Sequence, residues 1–96
     1  MSFIDSEVVE ECITDASMSA LENALRHHGY SVTRTNLQIT AKYGGVFKTN
    51  GKFSTITIVD MGDYRQCRDL ETAKGILFSP KRGVLAKIVA EAESCL

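Results

Sequence analysis

A small α+β domain is the fold the sequence predicts, with helices packed on a three-stranded antiparallel sheet in the order α(α)-β-β-β-α-α. Three observations predict it. Apolar residues recur near every fourth position from Ile4 to His28, period-two alternation takes over from Tyr30 to Val59, and Ser79-Pro80 opens a last stretch with an apolar stripe. With 96 residues there is room for one core, so residues 1–96 are expected to form a single globular domain.

In the N-terminal stretch Val8, Cys12 and Ala16 follow Ile4 at helical spacing, and Met18, Leu21, Leu25 and His28 continue it. Ser19 and Glu22 have capping-box spacing, so residues 4–28 read either as one helix or as two, the second beginning near Asp15. Gly29 ends the helical pattern as a residue free to turn left-handed. Tyr30, Val32, Leu37, Ile39, Ala41 and Tyr43 then alternate with polar residues, as half-buried strands do.

Asn50-Gly51 is a strong hairpin signal, because a type I′ turn needs positive φ at both central residues. A two-residue turn there places Phe47 opposite Ser54 and Gly45 opposite Ile56. Tyr43, Phe47, Ile56 and Ile58 then share the core face, and Thr40, Lys42, Val46, Lys48, Phe53, Thr55, Thr57 and Val59 the other. Asp60 to Asp63 is a turn, and Leu70, Ala73 and Leu77 suggest a weak helix over 65–77, although 75–78 also reads as a short strand. Serine at the N-cap and proline at the first helical position start the terminal helix at Ser79-Pro80. Its stripe is Val84, Leu85, Ile88, Val89 and Ala92. The expected core is Leu21, Leu25, Leu37, Ile39, Ile56, Ile58, Leu85 and Ile88.

The net charge of −1 conceals a segregation: residues 1–25 hold six acids and no base, whereas 26–52 hold five bases and no acid. Such a chain suits steering toward a charged partner, but the pI of 6.1 argues against general affinity for nucleic acid. Cys12, Cys67 and Cys95 form no C-x-x-C pair and read as free, packed thiols. No apolar run approaches the roughly 20 residues that span a bilayer, and no cationic leader opens the chain, so a cytosolic protein with no membrane contact is expected.

Motifs for catalysis, nucleotide binding or metal coordination are missing, and the expectation is a non-enzyme with no cofactor and no metal. On a helix, adjacent His27 and His28 point about 100° apart, which favours a helix-end role over a shared ligand. Asp60 and Asp63 read as turn formers. Lys81 and Arg82 are different, because bases in the first turn of a helix oppose its dipole. With free N–H groups beside them they suit a phosphate or a partner carboxylate. Phe53 flanked by lysines is a candidate for stacking a nucleobase, unless the helix over 65–77 covers it with Val46 and Val59.

The α-β-β-β-α order ending in Ser79-Pro80-Lys81-Arg82 and Ala86-Lys87 resembles the double-stranded-RNA-binding domain, whose last helix opens with basic residues that grip phosphates. The resemblance covers the element order and residues 79–90. The stretch before the terminal helix is longer than that family's and a Gly-Pro-x-His loop is missing, so the family is not assigned.

The functional expectation is therefore a small interaction protein that binds and modulates or blocks a nucleic-acid-handling machine. In character it is like phage-encoded inhibitors such as anti-CRISPR proteins. Lys42, Lys48, Lys52, Lys81 and Arg82 would meet an anionic protein or nucleoprotein surface. The alternative is a direct RNA- or DNA-binding module using the same bases and Phe53.

Overall fold

Among the described residues, five strands and two helices follow one another: β1 (Asp5–Thr14), α1 (Met18–His27), β2 (Tyr30–Arg34), β3 (Gln38–Tyr43), β4 (Lys52–Asp60), β5 (Arg65–Ala73) and α2 (Val84–Glu93). The structure, a computed structural model, describes residues 5–43, 52–73 and 83–94. The fold is α+β as expected, but the sheet has five strands in the order β1-β5-β4-β3-β2, with every neighbouring pair antiparallel. Within two stretches read as helical, Asp5–Thr14 and Arg65–Ala73 are strands. The element order is thus not the α-β-β-β-α of the double-stranded-RNA-binding domain.

The misreading of β1 has a physical origin. Val8 lies opposite Leu70 and Glu10 opposite Asp69, so Val9 is an extra residue, a β-bulge. The bulge breaks the strand's period of two, and Val8-Val9-Glu10-Glu11-Cys12-Ile13 comes to alternate in pairs, which mimics a helical period. In β5 the inward positions are Cys67 and Asp69. That pattern carries no strand signal, and the strand exists because β1 and β4 pair with it on both sides.

Both helices pack on the same face of the sheet. Met18, Leu21, Ala24 and Leu25 from α1 and Leu85, Ile88, Val89 and Ala92 from α2 meet Tyr30, Ile39, Ala41, Ile56, Ile58 and Cys67 in one buried cluster. The expected core is buried except for Leu37, which precedes β3 and is 63% exposed. Tyr43 is likewise exposed, its ring edge against Tyr30 at 5.4 Å. β3 and β4 pair with Ala41 opposite Ile56, four residues away from the register of a two-residue turn at Asn50-Gly51. An even offset leaves each side chain on its face, so Ile56 and Ile58 point inward as predicted. The turn itself, with Gly45, Val46 and Phe47, lies outside the described residues.

Local chemistry sets the helix ends. α1 starts at an N-cap serine, Ser17, whose hydroxyl accepts the Ala20 N–H at 3.1 Å, rather than at Ser19. It ends before Gly29, whose φ of +91° supplies the left-handed turn the sequence called for. α2 starts at Val84, later than Ser79-Pro80, which with 75–78 falls outside the described residues. Its N-cap, Gly83, has a φ of +92° and no side chain to cap with. Glu10 of β1 does this instead, accepting the N–H groups of Gly83, Leu85 and Ala86 at 3.0–3.1 Å. The helix N-terminus therefore already holds a carboxylate, and it comes from the same chain.

The buried cluster makes a stability prediction. Ile56→Ala should cost about 2–5 kcal/mol, as a fully enclosed side chain does, and Leu37→Ala less than about 0.5 kcal/mol. Urea denaturation of the two variants checks this. Equal losses would contradict the placement of Leu37.

Candidate functional site

The face of the sheet turned away from α1 and α2 is built from the other parity of each strand. Cross-strand register sets its rows: Val8, Leu70, Thr55, Lys42 and Ser31; then Glu11, Arg68, Thr57, Thr40 and Thr33; then Ile13, Gln66, Val59 and Gln38. Val8 and Ile13 share this face because of the bulge; without it Val8 would turn to the core with Glu10 and Cys12. Val8 is 49% exposed and Ile13 63%; half-buried Leu70 lies opposite Val8, whereas half-buried Val59 is on β4, with Gln66 between it and Ile13. The edge strand thus presents two apolar side chains with Glu11 between them, and the centre of the face is rich in threonine. Arg68 crosses to Glu11 at 2.7 Å in the middle row.

Among the residues singled out from sequence, Lys42 stands exposed on this face, as its strand parity predicted. Lys52 and Phe53 open β4, with Phe53 opposite Thr72. Over Arg65–Ala73 the segment expected to cover Phe53 and Val59 as a helix is instead strand β5 of the same sheet; Val46 lies outside the described residues. Lys48, Lys81 and Arg82 lie outside the described residues. The described N-terminus of α2 offers its N–H groups to Glu10 rather than to an external phosphate. Val8 escaped the sequence reading because a helical stripe with Ile4, Cys12 and Ala16 explained it equally well, and Ile13, outside that stripe, was not singled out.

The charge blocks separated along the chain interleave in space. Glu22 binds Arg26 at 3.0 Å and Arg34 at 3.1 Å, and Arg65 lies 3.4 Å from Asp60. Asp60 also shapes the turn, its carboxylate accepting the Gly62 N–H. The hydrogen bond from Arg26, and then that from Arg34, hold the Glu22 carboxyl below its ordinary range.

On the helix-covered side, Cys12 and Cys67 face each other across β1 and β5 as free thiols. Burial pushes the Cys67 thiol up to about 12, so it is protonated at neutral pH and poorly nucleophilic. At the outer edge of the same side, His27 and His28 do not diverge as an ideal helix would make them. Both reach Glu91 of α2, at 2.8 and 2.9 Å. The two hydrogen bonds, that of His27 first, hold the Glu91 carboxyl below its usual range. Among the described residues these three form the one set whose potential metal-ligating atoms gather within 4.8 Å.

No described helix is long and apolar enough to cross a membrane. Comparison with protein-family models, curated proteins and solved structures gave no match to this chain.

A lowered carboxyl pKa favours folding above the ordinary carboxylate value, and that contribution disappears as pH falls through the lowered value. Glu22→Gln should therefore lose stability at neutral pH and show a shallower loss on acidification than the parent. Urea midpoints measured from pH 7 down into the acid range decide it, and parallel curves would contradict the assigned role of Glu22.

Proposed function

We propose that this protein is a non-catalytic interaction domain that docks a protein partner on the open face of its sheet. The observation that carries the reading is the exposure of Val8 and Ile13 on the edge strand β1, with half-buried Leu70 opposite Val8, on the face away from both helices. Two exposed apolar side chains on the edge strand of a threonine-rich surface suit contact with a protein partner, with the Glu11–Arg68 pair between them and Lys42 farther across the face as polar contacts. The described arginines Arg26, Arg34, Arg65 and Arg68 each face a carboxylate of the chain itself, which weighs for a protein partner over direct binding of a polyanion. The partner class we propose is an assembly that handles nucleic acid, its anionic surface met by Lys42 and by the other bases singled out from sequence, Lys48, Lys52, Lys81 and Arg82.

Affinity capture from the native host tests this with two variants, Val8→Glu combined with Ile13→Glu, and Lys42→Glu. The sites are exposed, so melting temperatures should stay near the parent's. The double variant should lose the captured partner, and Lys42→Glu should weaken capture and flatten its salt dependence. Undiminished capture by the double variant would refute the docking face. Recovery of nucleic acid alone, abolished by nuclease, would establish direct nucleic-acid binding in place of this reading.

A further inference from the structure

We infer that His27, His28 and Glu91 form a binding site for a divalent transition-metal ion of the zinc type, bridging the end of α1 to α2. The site is on the helix side of the sheet and stands apart from the proposed docking face. Two neighbouring histidines can share one ligand here because the helix stops between them. His27 is its last residue, whereas His28 is the C-cap, with φ −91° and ψ 10°. His27 uses Nδ1, the nitrogen nearer the backbone, and His28 uses Nε2, the farther one, so each ring meets its own oxygen of the Glu91 carboxylate. The rings stand edge to face, 5.5 Å between centroids.

Two imidazole nitrogens and one carboxylate are a donor set suited to Zn²⁺, Co²⁺, Ni²⁺ or Cu²⁺. All-oxygen sites suit Mg²⁺ and Ca²⁺ better. Around a tetrahedral ion with bonds of about 2.0–2.1 Å, donor atoms lie roughly 3.3 Å apart. The three donors already lie within 4.8 Å of one another, so small side-chain rotations close the set. The His27 side chain, 73% exposed, has room to make them. Three protein ligands leave at least one position open, to water or to a donor group from a partner. Because the ligands come from residues 63 and 64 positions apart, the ion would close a long loop and bind only the folded chain, raising its stability by mass action.

Titration of the full-length, chelator-treated protein with CoCl₂ and then ZnCl₂, followed by visible absorption and calorimetry, is the test. One Co²⁺ per chain should give a d–d band that Zn²⁺ displaces, Zn²⁺ should raise the melting temperature, and MgCl₂ should do neither. His28→Ala and Glu91→Gln should each weaken Zn²⁺ binding by about tenfold or more. His27→Gln, at an exposed position that leaves folding intact, should do the same and keeps the test valid if the other two variants are unstable. Absence of binding, equal affinity in folded variants, or a thiolate-to-cobalt band placing the ion on cysteine would each overturn the site.

Discussion

The carboxylate of Glu10 is the contact on which the arrangement of this molecule turns. It satisfies three N–H groups at the start of α2, a helix whose own N-cap is a glycine with nothing to offer. A negative charge at a helix N-terminus is favoured by the macrodipole, and here it also binds the helix to the first strand of the sheet. Within the sheet Glu10 lies directly opposite Asp69, which is fully buried.

The bulge at Val9 lets Glu10 face inward while Val8, two residues before it, faces out. The extra residue turns both Val9 and Glu10 toward the helices and leaves Val8 and Ile13 on the opposite side. One irregularity thus lets the cap of α2 and an outward Val8 coexist on a single strand. Both features lie on β1, an edge strand, where bulges are most readily accommodated.

That irregularity also marks how far the sequence could be read. The stripes of α1 and α2 and the alternation through Ile39, Ala41, Ile56 and Ile58 were legible because one face of each element is apolar and the other polar. β1 was not, since an inward glutamate and a bulge together imitate a helical period. β5 was hidden for a different reason: its inward positions hold a cysteine and an aspartate, and pairing on both sides decides its conformation. The His27, His28 and Glu91 group depends on a helix ending one residue earlier than the sequence suggested and on a partner far along the chain. Periodicity carries no information on either. Lys42 was placed correctly, because strand parity survives an even register offset.

Native-state hydrogen exchange on Glu10→Ala and Glu10→Gln tests the central claim most directly, read at the Leu85 and Ala86 amides with Leu25 of α1 as the internal reference. If Glu10 holds α2 in place, Glu10→Ala lowers global stability by about 1–3 kcal/mol, and the Leu85 and Ala86 amides exchange faster by a larger factor than Leu25. Glu10→Gln, which keeps one accepting oxygen, falls between. Unchanged stability, or equal acceleration at all three amides, would show that α2 is held by its apolar stripe alone and that the cap is incidental.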